Sequence, residues 1–106
     1  MMSYIFKIVQ IAKKSGGDKY ECKIDDVDFV IYFPQTCSRI NGKPKESIIL
    51  TIVSDGLFKF KLIQKAKKSG GDKYECINDD KFNIYFPQSL SRPNGDVLNE
   101  LSFNLS

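Results

Sequence analysis

The segment Lys13-Lys-Ser-Gly-Gly-Asp-Lys-Tyr-Glu-Cys22 occurs a second time, unchanged, as Lys67 to Cys76, 54 positions later. Around it the match continues. Phe6 aligns with Phe60 and Gln10 with Gln64. After the cysteine the second copy drops one residue, and Phe29-Val-Ile-Tyr-Phe-Pro-Gln35 aligns with Phe82-Asn-Ile-Tyr-Phe-Pro-Gln88. Ser38-Arg39 then matches Ser91-Arg92, and Asn41-Gly42 matches Asn94-Gly95. Two copies are too few for a solenoid. A unit of about 50 residues alone buries too little surface to be stable. The expectation is therefore one domain, residues 1–106, made of two internal repeats, 1–54 and 55–106, packed about a pseudo-twofold axis.

Each repeat alternates in the manner of strands. Tyr4–Lys13 places Tyr4, Phe6, Ile8, Gln10 and Ala12 on one face, and Ser15-Gly16-Gly17-Asp18 is a turn. Lys19–Ile24 alternates Tyr20, Cys22 and Ile24 against Lys19, Glu21 and Lys23. Asp25-Asp26 makes a second turn, and Phe29–Phe33 is a strand stopped by Pro34, which has no N–H for a ladder. A loop from Gln35 to about Lys45 leads to a fourth strand, Ser47–Val53. The second copy repeats this as Phe58–Lys67, Lys73–Ile77, Phe82–Phe86 and Leu98–Leu105. The β-branched and aromatic content supports strands over helices. The predicted fold is all-β: two tandem four-stranded antiparallel repeats forming an eight-stranded barrel or sandwich.

Charge and composition narrow the functional classes. Sixteen basic and 13 acidic residues give a net charge of +3, which permits an anionic partner without requiring one. Three cysteines, no C-x-x-C pair and no histidine argue against a zinc site. Cys22 and Cys76 are expected to face inward as small hydrophobes, whereas Cys37 lies in a loop. The acid pairs Asp25/Asp26 and Asp79/Asp80 fall in turns and read as turn formers. Without histidine, an activated nucleophile or a cofactor loop, the chain reads as non-enzymatic, with no cofactor, metal or small-molecule substrate. No apolar run approaches the roughly 20 residues needed to cross a membrane, so a soluble intracellular setting, cytoplasmic or nuclear, is expected.

Function is sought where the copies disagree. On the predicted inner face the swaps preserve apolar volume: Ile8 with Leu62, Ile48 with Leu101, Leu50 with Phe103. On the other face Ile5, Val9, Ile11, Val30, Ile49 and Val53 stand opposite Lys59, Ile63, Lys65, Asn83, Ser102 and Ser106. The six apolar residues of the first copy are a candidate surface for a protein partner or a second copy of the chain.

The second copy presents Lys59, Lys61, Lys65 and Lys67 along one strand, with Lys73, Asn83 and Tyr85 expected beside them. Lysines next to an accessible ring suit single-stranded nucleic acid, because charges follow phosphates and the ring stacks on a base. The turns add Lys13, Lys14 and Lys19 in one copy and Lys68 in the other. Their Gly-rich backbone is also of a kind that holds phosphate, although no P-loop spacing is present. The only arginines, Arg39 and Arg92, either bind an anion or tie down their own loops. The sequence thus predicts a small β binding protein for nucleic acid, with an assembly module as the alternative.

Overall fold

The computed structural model describes residues 2–106 and is all-β, with two single helical turns. The strands are β1 (Met2–Gln10), β2 (Asp18–Ile24), β3 (Val27–Phe33), β4 (Arg39–Ile40), β5 (Lys43–Pro44), β6 (Ser47–Ile52), β7 (Phe58–Gln64), β8 (Asp72–Cys76), β9 (Asp79–Phe86) and β10 (Glu100–Leu105). The helical turns are α1 (Gln35–Ser38) and α2 (Gln88–Ser91), each entered through a proline. The chain divides into two compact units, one running to Thr51 and including Leu105–Ser106, the other spanning Ile52–Asn104.

In the first unit the strand order is β3-β2-β1-β6, with a separate β4–β5 hairpin. β2 and β3 pair in register from Asp18↔Phe33 to Ile24↔Val27. The two residues left between them, Asp25 and Asp26, have φ of 49° and 64°. Two-residue hairpin loops favour such a turn because its twist matches the strands, and Asp tolerates the left-handed region. Asn41-Gly42 closes β4–β5 in the same way, with φ of 53° and 80°. The core consists of Phe6, Tyr20, Phe29, Ile31, Phe33, Ile48 and Leu50, all buried. Phe6 meets Phe29 and Phe33 edge-on at 5.0 and 5.9 Å, the arrangement that ring quadrupoles prefer.

In the second unit the order is β10-β7-β8-β9. Phe60 packs edge-on against Phe82 at 5.0 Å and stacks on Phe103 at 5.1 Å. The residue missing after Cys76 appears as a register shift: Cys76 pairs with Asp79, whereas Glu75 pairs with Asn83. The Asn-Gly pair also behaves differently here. Pro93 precedes it, and Gly95 donates its N–H to the Arg92 carbonyl, forming a turn without the small hairpin. Proline has no N–H and restricts the residue before it, so the two-stranded extension is lost.

Four expectations need correction. Asp79 and Asp80, read as turn formers, open β9, and Ile77-Asn78 make the turn instead. β1 and β7 stop at Gln10 and Gln64, not at Lys13 and Lys67. Each carries a bulge just before its end, between Ile8 and Gln10 and between Leu62 and Gln64. An extra residue reverses the in–out alternation, so parity counted from Phe58 does not extend to Lys65 and Lys67. Asp18 and Asp72, read as turn residues, instead open β2 and β8 and are fully buried. The loops after Pro34 and Pro87 contain the helical turns, which lie below the length that hydrophobic periodicity can register.

Gly56 illustrates how tightly the second unit is closed. A Cβ there would lie 2.5 Å from the Phe103 carbonyl oxygen, and the Gly56 N–H donates to Ser102 Oγ at 3.0 Å. The obstacle is main chain in a paired strand, so it cannot rotate aside. Gly56→Ala is expected to destabilise the protein by about 1–3 kcal/mol, the usual cost of overpacking, measured as a lower denaturant midpoint with unchanged slope.

Candidate functional site

Each unit carries the same buried polar knot. Asp18 accepts from Arg39 Nε through Oδ2 and from Arg39 Nη2 through Oδ1, both at 3.0 Å. Ser38 Oγ donates to Oδ2 at 2.6 Å, and the Ala12 N–H donates to Oδ1 at 2.8 Å. A carboxylate offers about four acceptor sites, and all four are used. Arg39 Nη2 also reaches the Ala12 carbonyl at 3.4 Å. In the second unit Asp72 holds Arg92, Ser91 Oγ and the Ala66 N–H in the same pattern. Hydrogen bonding from Arg39 and Arg92 is the main reason that both carboxyls titrate far below the usual carboxylate range; burial opposes it, and the serine and main-chain donors reinforce it. Arg39 and Arg92 are correspondingly harder to deprotonate. The two arginines named as anion-binding candidates therefore serve an internal partner.

Nearby, Tyr20 donates its hydroxyl to the Lys45 carbonyl, and Tyr74 donates to that of Leu98. Burial, with the nearby Asp72 charge adding to it, pushes Tyr74 up to about 12.

Above the knot the Lys-rich turn is tied down. Gln35 Nε2 donates to the carbonyls of Lys14 and Gly16 at 2.8 and 3.0 Å. Gln88 Nε2 does the same for Lys68 and Gly70 at 2.7 and 3.0 Å. Gly17 and Gly71 seat the turn against the strand opposite: a Cβ on either would come within 2.9 Å of Tyr32 or Tyr85. These contacts open a shallow cleft on each unit. One, of about 350 Å³, is lined by Gln64, Lys65, Lys67, Ser69, Lys73 and Tyr85. The other, of about 320 Å³, is lined by Gln10, Ile11, Lys13, Lys19 and Tyr32. Lys73 Nζ lies 5.8 Å from the Tyr85 ring centre and Lys19 Nζ lies 6.0 Å from that of Tyr32, at the limit of cation–π contact. Tyr85 and Tyr32 are 57% and 55% exposed.

Lys65, Lys67, Lys73 and Tyr85 thus gather at one cleft, as do Lys13 and Lys19 at the other. Lys59 and Lys61 remain on the β7 strand face, opposite Ser102 and Glu100 of β10. Lys61 also faces Glu75, and Lys59 pairs with Asp55 at 3.1 Å. Lys14 and Lys68 stay on the exposed turns. Tyr32 was missed as a site residue although it aligns with Tyr85; its fewer lysine neighbours hid it. Asp18, Asp72, Gln35 and Gln88 were also missed, and their one available signal was identical recurrence in both copies.

On the first unit Ile5, Val9, Ile11 and Ile49 are exposed and Val30 is half-buried. Val53 falls in the second unit, where its N–H donates to the Ser102 carbonyl. Among the described residues no three His, Cys, Asp or Glu side chains gather as a metal site requires, and no helix is long and apolar enough to cross a membrane. No protein family, curated protein or solved structure matches the chain.

The two polar knots predict acid sensitivity of a definite sign. A carboxyl whose folded-state affinity for protons is depressed stabilises the fold at neutral pH and loses that contribution as pH falls below its unfolded value of about 4. No histidine is present to add a transition near neutrality. Thermal midpoints should be nearly flat from about pH 8 to 5 and fall below about pH 4. Asp18→Asn and Asp72→Asn should each lower the midpoint at neutral pH and make the acid limb shallower. A scanning-calorimetry series across pH checks both.

Proposed function

We propose that the protein is a non-enzymatic binder of single-stranded nucleic acid, contacting it through the lysines and the tyrosine of each cleft. The observation that carries this reading is Tyr85: an exposed ring with Lys73 beside it and Lys65 and Lys67 lining the same cleft. A base stacks on the ring, and the ammonium groups follow the phosphates, with little selection among bases. The Tyr32 cleft, with Lys13 and Lys19, offers the same chemistry with one lysine fewer, because Ile11 stands where the other cleft has Lys65. Lys14 and Lys68 add to the positive field around these clefts, whereas Lys59, paired with Asp55, and Lys61, facing Glu75 and Glu100, are offset by acidic neighbours; Arg39 and Arg92 contribute by building the clefts.

Catalysis has no comparable support. The two strongly perturbed carboxyls, Asp18 and Asp72, are buried with every acceptor site occupied. The shared decapeptide and the matching polar knots support descent of the two units from one duplicated module.

Affinity for a short oligothymidylate, followed by fluorescence anisotropy, should fall steeply with salt. Engagement of two to three phosphates gives a log–log slope of roughly −1.4 to −2. Tyr85→Leu should weaken binding by about 1–3 kcal/mol, the worth of one stacked base. Salt-indifferent affinity, or a Tyr85→Leu variant that binds normally, removes the proposal.

A second reading, as an assembly module, is supported by the exposure of Ile5 and Val9 on β1 and of Ile11 just beyond it, at 58%, 51% and 55%. Burying those side chains against a second copy would remove apolar surface from water. Sedimentation over a hundredfold concentration range should then show self-association, and Ile11→Lys should reduce it. A concentration-independent monomer rejects this reading.

A further inference from the structure

A soluble hairpin tip needs only polar side chains, yet the Lys-rich turns are built with more care than that. At each turn the protein takes up three of the carbonyls and leaves the Ser-Gly-Gly donors. Gln35 occupies the carbonyls of Lys14 and Gly16 with both hydrogens of one amide, and Gln88 does so for Lys68 and Gly70. Arg39 and Arg92 take the carbonyls of Ala12 and Ala66. The acid within each segment, Asp18 or Asp72, is buried and fully engaged, so it adds no acceptor to the surface. Among the described residues no protein acceptor takes the N–H groups of Ser15, Gly16 and Gly17, or those of Ser69, Gly70 and Gly71. Gly16 and Gly70 both have φ of +108°, a conformation that side chains rarely adopt.

A rigid turn with bare N–H groups, free hydroxyls and adjacent ammonium groups has the chemistry of an oxyanion seat. We propose that each Lys-Lys-Ser-Gly-Gly turn binds a phosphate group through the main-chain N–H groups of its Ser-Gly-Gly segment, with Lys13 and Lys14, or Lys67 and Lys68, as counter-charges. Gln35 and Gln88 are positioning residues: they hold the carbonyls away from the anion. The phosphate chemistry stands by itself; only its source, a nucleic-acid backbone, rests on the reading above. Because the turn borders the tyrosine cleft, a nucleotide stacked on Tyr32 or Tyr85 would bring its own phosphate to the seat.

The test is an amide-shift titration of the full chain by NMR, with inorganic phosphate at constant ionic strength and chloride as the reference salt. A short oligothymidylate is titrated in parallel. Saturable shifts of Ser15–Gly17 and Ser69–Gly71 with phosphate and not with chloride are expected. Gln35→Leu with Gln88→Leu should weaken that binding about tenfold while all lysines remain. Shifts that are unsaturable, or spread evenly over every lysine, overturn the seat; this outcome needs no variant, so a variant that fails to fold leaves the proposal falsifiable. Turn shifts with phosphate but an oligonucleotide that does not perturb Tyr32 or Tyr85 keep the seat and remove the nucleic-acid reading. Oligonucleotide binding undiminished in the double variant does the reverse.

Discussion

The bidentate pair between Asp18 and Arg39, with its counterpart between Asp72 and Arg92, is the interaction on which the surrounding structure depends. Removing a carboxylate from water is costly, and Coulomb attraction alone seldom repays it. Here the cost is offset because every acceptor site is filled: twice by the guanidinium, once by serine and once by a main-chain N–H. Those donors come from three places in the chain: the segment just after β1, the α1 turn and the start of β4. The pair therefore decides where β1 stops and where the chain returns after Pro34. The same logic holds in the second unit with Ala66, Ser91 and Arg92.

From that anchor the surface chemistry follows. With the base of the turn fixed, one glutamine can reach two of its carbonyls, and a glycine can press against the tyrosine strand. The outcome is a cleft whose wall is donor-rich and whose floor includes an exposed ring. The charges divide accordingly: the arginines are bound to buried carboxylates, and the cleft lysines remain at the surface. Arginine suits the internal role because its planar fork matches a carboxylate, and lysine suits the external one because its charge is compact and freely rotating.

The two units use this frame to different ends. The cleft of the second unit has Lys65 where the first has Ile11, and β7 has Lys59 where β1 has Ile5. These substitutions lie outside the core, where volume does not constrain them, so one frame tolerates both a basic and an apolar surface. Core positions instead exchange one apolar residue for another, as Leu50 with Phe103, and that ring adds stacked contacts with Phe58 and Phe60.

Much of the fold was legible in the sequence alone. Alternation placed the buried Phe6, Tyr20, Phe33, Phe60 and Tyr74 on one face, because a half-buried strand has period two. The recurring segments set which residues correspond, Tyr32 with Tyr85 among them. Proline marked the ends of β3 and β9, and Asp25-Asp26 marked a hairpin turn. Local sequence did not reveal that Asp18 leaves its turn for the interior or that Arg39 meets it 21 residues on, since a charged side chain next to Gly-Gly is exposed by every local rule. Nor did it reveal the bulges at Val9 and Ile63, which end the alternation of β1 and β7 before the lysines of the turn. Those features arise from ladder register and from hydrogen bonds between distant segments, which only the folded chain brings together. The sequence by itself determined strands, faces and equivalences; the tertiary structure decided which charges are drawn inward to build the clefts and which are left at the surface, because that choice depends on hydrogen bonds between distant segments.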